Sequence, residues 1–330
     1  MDSKAVIGDL SSFVSFSPWE KLHVQTKQFQ FALSDNSSAH VHRWLPDGNV
    51  IAVVQIIHGM AEHGGRYERI AQALTDAGYA VYAQDLPGHG RTARAPDELG
   101  HFADHDGWSH VIGQINQLRQ HIEHQQPQLP LFVLGHSMGS FLLQDYLIEH
   151  GRGLAGAMFS ASSGDLGPLR VLGLSLLRME SLWYGRRHRS ALAELMSFKD
   201  FNRRYKPART DFDWLSRDPT EVDIYANDPR CGFRCSSGLW LDLLSAAGRL
   251  DDPQRLATIP KDLPVLIING SDDAATQGAK GPRALERLYR KAGLTAITTH
   301  IYDNARHELL NETCREVVTE DLLRWLQERA

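Results

Sequence analysis

Residues 131–134 of this 330-residue chain read Leu-Phe-Val-Leu, and Gly135-His136-Ser137-Met138-Gly139 follows directly. A run at helical spacing then extends over residues 141–149. Four apolar residues closed by glycine suit a strand buried on both faces. A serine with glycines two positions away on either side, between such a strand and such a helix, sits on a sharp turn where neighbouring backbone crowds in. That turn exposes Ser137 Oγ at the carboxyl edge of a sheet, with a helix N-terminus behind it. The motif thus calls for an α/β fold with a mainly parallel sheet and helices between the strands.

The rest of the chain meets that demand. Apolar runs at 50–57 and 265–268 end in His58-Gly59 and Asn269-Gly270, and both read as buried strands. Segments 28–33, 39–45, 80–83, 154–160 and 296–302 bring the total to about eight strands, the first few antiparallel. Asp47-Gly48 reads as a hairpin turn into the strand at Val50. Residues 66–77, 108–124 and 314–327 carry apolar side chains three and four apart and predict helices. Residues 162–250 break this rhythm, being rich in Arg, Trp, Ser and Asp-Pro with no clear buried strand. The expected organisation is a core of 1–161 and 251–330, interrupted by a helical insertion at 162–250.

Composition narrows the function by exclusion. The chain carries 35 Lys+Arg against 40 Asp+Glu, a net charge of −5, which argues against a nucleic-acid partner. Residues 163–250 hold 14 basic and 11 acidic side chains, so this +3 segment leaves −8 for the remainder. Three cysteines are no disulfide framework at this length, and a reducing compartment suits them. Cys231-x-x-x-Cys235 lacks a second Cys/His pair at ligand spacing, so no metal is expected. Gly88-His89-Gly90 lacks the surroundings of a phosphate loop, there is no dinucleotide fingerprint, and no cofactor is expected. No stretch approaches the ~18 uninterrupted apolar residues of a membrane span. The N-terminal MDSKAVIGDLSSFVSF places Asp2 and Asp9 where a signal peptide wants positive charge. A cytoplasmic protein is the expectation.

A serine hydroxyl attacks only when a base takes its proton, and an orienting carboxylate completes the set in the chain order Ser, Asp or Glu, His. Asp272-Asp273 follows the strand at 265–268, and His307 follows the last strand and precedes the closing helix. His307 is the expected base, with Asp272 and Asp273 both open as its partner, since one of them suits a turn-capping role. A developing oxyanion needs two N–H donors: that of Met138, next to the nucleophile, and that of Met60 in the turn His58-Gly59-Met60. Gly59 and His136 are expected to border the substrate. The Met60 and Met138 side chains suit either an adaptable wall for an alkyl chain or the core.

On these residues the chain resembles α/β-hydrolases of the monoacylglycerol lipase and lysophospholipase group, which is related to the serine aminopeptidase-type hydrolases. The resemblance is carried by HGMAEHGGRY (58–67), DLPGHGRT (85–92), GHSMG (135–139), GSDD (270–273) and ARHELLNE (305–312), with WLSRD (214–218) and DPRCGF (229–234) in the insertion. It implies the α/β-hydrolase fold: a mostly parallel eight-stranded sheet flanked by helices, with the insertion as a helical cap. It also implies Asp273 as the acid, three residues after the glycine, and places His58, Glu62 and His63 in the oxyanion turn rather than at a metal. Asp-Ala-Ala at 273–275 replaces the family's usual Asp-Pro-Val and predicts a looser loop.

The activity so implied is a serine carboxylic-ester hydrolase cleaving a small acyl ester or lipid, such as a monoacylglycerol or lysophospholipid. A peptidase- or amidase-like hydrolase and a broad-specificity esterase are the alternatives, and a non-catalytic binding protein ranks last because the expected triad is intact. Residues 169–184 are apolar, end in Trp183-Tyr184 and run into Arg186-Arg187-His188-Arg189. That pattern suits either a cap helix packed on the core or transient contact with a lipid surface. Oligomeric state stays open.

Overall fold

The computed structural model describes residues 25–164, 167 and 169–330, so the N-terminal stretch discussed above lies outside the described residues. Strands β1 (Gln25–Ala32) and β2 (Ser38–Leu45) pair antiparallel, and β2 pairs antiparallel with β4 (Tyr79–Gln84). From there the neighbours are parallel: β3 (Ala52–Ile57), β5 (Leu131–His136), β6 (Gly156–Ser160), β7 (Val265–Gly270) and β8 (Ile297–Tyr302). The spatial order β1-β2-β4-β3-β5-β6-β7-β8 gives an eight-stranded, mostly parallel sheet, the α/β-hydrolase fold.

Asp47-Gly48 is not a hairpin turn. β2 takes β4 as its partner, and β3 lies one place further in, parallel to both β4 and β5. Every residue of β3 is buried, so it belongs in the sheet interior between parallel neighbours, and an antiparallel hairpin partner has no place there. The strand begins at Ala52, and Ile51 just before it is exposed.

Alternate strand residues feed two apolar layers. Val53, Ile57, Val133 and Ile267 face α2 (Gly107–Gln125) and α3 (Met138–His150), whose Trp108, Ile115, Leu142 and Tyr146 share the same core. Val54, Ile56, Phe132 and Leu266 face the other way, toward Ile70 and Leu74 of the helix Glu68–Asp76, which is α1.

Between β6 and β7 the described residues form α4 (Leu169–Tyr184), α5 (Ala191–Met196), α6 (Phe198–Arg203), α7 (Pro219–Asn227), α8 (Ser237–Ala247) and α9 (Pro253–Leu256). The Ser190, Asp218 and Ser236 side chains cap α5, α7 and α8 by accepting from backbone N–H groups, each worth about 1 kcal/mol. Leu239 and Leu243 of α8 join the main core, while Trp214, Leu215, Tyr225 and Cys231 form a small core of their own. The chain ends with α10 (Lys280–Lys291), before β8, and α11 (Arg315–Gln327), which adds Val318, Leu322 and Trp325 to the second layer. Among the described residues no helix is long and apolar enough to cross a membrane.

Candidate active site

The turn from β5 into α3 holds Ser137 at φ 51° and ψ −119°, a strained conformation for a residue with a side chain. Two close approaches make glycine obligatory around it. A Cβ on Gly135 would lie 2.5 Å from the Gly139 carbonyl oxygen, and a Cβ on Gly139 would lie 2.1 Å from that of Ile57. The Ser137 N–H donates to the Ser160 carbonyl (2.9 Å), tying the turn to β6.

The loops after β7 and β8 bring Asp273 and His307 to the same edge. Ser137 Oγ lies 2.9 Å from His307 Nε2, and His307 Nδ1 lies 2.9 Å from Asp273 Oδ2. Asp273 and His307 are both buried. Burial opposes ionisation of Asp273, but His307 and hydrogen bonds from Thr276 and the Ala275 N–H outweigh it and hold the carboxyl below its ordinary range. Burial likewise opposes charge on His307, yet Asp273 wins and raises the imidazole above 6.5. An ionised Asp273 fixes the ring proton on Nδ1 and leaves the Nε2 lone pair for the serine hydroxyl.

Asp272, the other open candidate, points elsewhere, forming a 2.6 Å ion pair with Arg204. The Asp-Ala-Ala loop is well tied. Asn269 Nδ2 donates to the Gly270 carbonyl and to Thr276 Oγ1, both at 2.8 Å, and the Gly278 N–H donates to the Asp273 carbonyl (2.7 Å).

Gly59 packs against Ser137, since a Cβ there would lie 3.3 Å from that of the serine. The Leu86 N–H donates to His58 Nε2 (2.9 Å), so the His58 proton sits on Nδ1 and is donated to the Gly59 carbonyl (2.7 Å). That bond fixes the plane of the Gly59–Met60 peptide and sends the Met60 N–H to the opposite side. Among the described residues, neither the Met60 N–H nor the Met138 N–H donates to another group. The Met138 side chain belongs to the core, and Met60 is partly buried against it. His136 is buried, with Nδ1 3.1 Å from Ser160 Oγ, and burial pulls its pKa down to about 4.

Beneath this edge lies a charge network that the sequence reading missed. Glu62 Oε1 accepts from the Gly59 N–H (2.5 Å) and Tyr67 Oη (2.9 Å), and Glu62 Oε2 accepts from Arg66 (2.8 Å). Arg66 also makes a two-pronged contact with Glu308, at 2.5 and 2.7 Å. Burial pushes Glu62 up, but Arg66, His136 and His58 overcome it and hold the carboxyl at about 2. The available signal was the four-residue spacing of Glu62 and Arg66, and the place of Glu308 beside His307. A second missed residue is Trp214, whose ring centroid lies 4.8 Å from that of His307.

Two clusters among the described residues bring three potential metal-ligand atoms within 4.8 Å of one another: His40, His42 and Asp85, and His63, Asp228 and Cys231. In the first, the Asp85 oxygens already accept from the Gly64 and Arg91 N–H groups, at 2.8 and 2.7 Å. In the second, His63 Nε2 and Asp228 Oδ2 bond each other at 2.9 Å.

A family model described as serine aminopeptidase, S33 (Hydrolase_4) matches residues 48–314. The chain belongs to that family. This S33-family hydrolase is 27% identical over 289 residues to a monoacylglycerol lipase of Mycolicibacterium smegmatis, covering 86% of the chain and 90% of the relative. It is 29% identical over 276 residues to human monoglyceride lipase, covering 82% and 79%. A thermostable carboxyl esterase from Bacillus coagulans, solved with glycerol, superposes with a TM-score of 0.83 at 26% identity, covering 92% of this chain and 98% of that one. The S33 protein is thus a monoacylglycerol lipase-like α/β-hydrolase, as its motifs implied.

Proposed function

We propose that this hydrolase cleaves monoacyl lipid esters, monoacylglycerols or lysophospholipids, through an acyl-enzyme on Ser137. The observation that carries the reading is the row Ser137–His307–Asp273, bonded at 2.9 Å on both sides, with the Met60 and Met138 N–H groups beside the serine. His307 takes the Ser137 proton as Oγ bonds to the ester carbon, and the carbonyl oxygen becomes an anion held by the two amides. The tetrahedral adduct collapses, the carbon–oxygen bond to the alcohol breaks, and His307 returns the proton to the leaving oxygen. Water then attacks the acyl-enzyme by the same route, releasing the fatty acid and restoring the serine. Gly59 and His136 border the ester in this reading.

Residues 162–250 act as the cap. On its outer helix α4, Leu182 and Trp183 are 86% and 81% exposed, beside Met179 and Tyr184 and next to Arg186 and Arg187. An exposed apolar and aromatic face with a basic end suits brief docking on an anionic lipid surface, where the substrate resides. The amide-cleaving alternative needs a free carboxylate in the cap to hold an amino terminus. Glu194, Asp218, Glu221, Asp228 and Asp242 each already face an arginine or histidine, which among the described residues leaves the exposed Asp211 as the carboxylate that reading would have to use.

The test is Ser137→Ala, which should abolish both hydrolysis of p-nitrophenyl acyl esters and labelling by a fluorophosphonate; labelling that persists overturns the assignment. Rates on medium-chain monoesters above those on aminoacyl amides support the ester reading, and the reverse order overturns it.

A further inference from the structure

We infer that Trp214 is a positioning residue for His307: an indole face supplied by the inserted segment that holds the imidazole on the line between Ser137 and Asp273 and favours its charged form during acyl transfer. This rests on the proposed role of His307 as the base.

The contact is built from both sides. Trp214 is 4% exposed, and its ring stacks on Phe198 (5.5 Å, 18°) and touches Phe201 (5.3 Å). Its backbone N–H donates to Asn202 Oδ1 (3.0 Å). The residues flanking it bind the residues flanking His307. The Glu308 N–H donates to the Leu215 carbonyl (2.8 Å), and Arg306 donates to the carbonyls of Asp213 and Ser216. Segments 213–216 and 306–308 are therefore laced together, and the ring contact between Trp214 and His307 lies at the centre of the lacing. The indole N–H is buried and makes no hydrogen bond among the described residues, so the side chain meets His307 through its ring system, the two planes inclined at 42°.

The chemistry gives that face a purpose. His307 gains a full positive charge when it takes the serine proton, and an aromatic face within ~6 Å attracts a cation more than a neutral ring. The other charged or titratable neighbours are Asp273, Glu308, Glu62, Arg66 and His136, whose ring lies 5.0 Å away on another side. Trp214 acts without charge of its own, and it reaches the base from the segment expected to cover the substrate.

Trp214→Phe and Trp214→Leu separate face from bulk. With a short p-nitrophenyl ester, Leu should lower kcat about 3- to 30-fold at nearly unchanged KM, and Phe should keep kcat within about 3-fold. The face stabilises the protonated ring, so its loss should move the acidic limb of kcat/KM to lower pH in the Leu variant only. An unmoved limb with equal losses for Phe and Leu overturns the inference, as does a Leu variant with unchanged kcat. Should Leu fail to fold, Trp214→Met carries the same comparison with less loss of volume. Residual hydrolysis in Ser137→Ala is a separate outcome: it defeats the functional reading itself, whatever Trp214 does.

Discussion

The imidazole rings of His136 and His307 lie 5.0 Å apart, and their surroundings push them in opposite directions. Burial keeps His136 neutral down to about pH 4, while Asp273 overcomes burial and raises His307 above 6.5. In the proposed mechanism His307 must be neutral to take the serine proton, so activity should be present above its pKa and lost as pH falls through it. A kcat/KM profile should bend above pH 6.5, with no second limb from His136 before about pH 4. Asp273→Asn should lower kcat by roughly 10³- to 10⁴-fold while leaving the protein folded.

Gly139→Ala puts a methyl 2.1 Å from the Ile57 carbonyl oxygen, and backbone has no room to yield. A loss of at least about 3 kcal/mol, or no folded protein at all, is expected in urea unfolding. Gly48→Ala is the control: a Cβ there meets nothing within 4 Å, and stability should stay within about 1 kcal/mol of the parent.

His58→Phe removes the donor that fixes the Gly59–Met60 peptide and strands the Leu86 N–H. Steady-state kinetics should report kcat lower by about 10- to 100-fold with KM little changed, because a misaimed Met60 N–H weakens only the oxyanion.

Glu62→Gln tests the buried network. Its folded pKa of about 2 lies below the ordinary 4.5, so its contribution is complete above pH 4.5 and lost as pH falls toward 2. The variant should be less stable than the parent by about 2–3 kcal/mol at pH 7, a gap that narrows in urea unfolding as the pH is lowered toward 3.

Leu182→Ser with Trp183→Ser removes the most exposed apolar side chains of α4. Co-sedimentation with vesicles containing anionic lipid should weaken, while hydrolysis of a soluble short-chain ester stays at the parental rate.

The parts of this molecule that local chemistry dictates were legible in the sequence. Short apolar runs marked β3, β5 and β7 because strands covered on both faces need them. The Ser137 turn was readable because its glycines answer to backbone crowding. Asp47-Gly48 misled because turn chemistry is local, whereas strand pairing depends on which neighbour arrives from further along the chain. Asp272 and Asp273 were separable only by what lies opposite, Arg204 for one and His307 for the other. Trp214 left no periodicity to read, since its partner stands in a different loop and the contact exists only once both segments have folded.

The lacing of residues 213–218 to the loop after β8 divides the inserted region into two kinds of hardware. Arg217 binds Glu312, Asp218 binds Arg315, and Ser216 Oγ donates to the Asn311 carbonyl, so this half is structurally part of the histidine's own mount. Helix α4 itself makes no hydrogen bond or ion pair to that loop among the described residues. Evolution or a protein engineer is therefore free to rewrite the outward face of α4 for a new substrate or surface, so long as Leu174 and Leu177 keep their packing on Leu241. Transplanting the whole insertion from a relative would instead dismantle the seat of His307, and a chimaera should exchange the outward face of α4 and leave residues 213–218 in place.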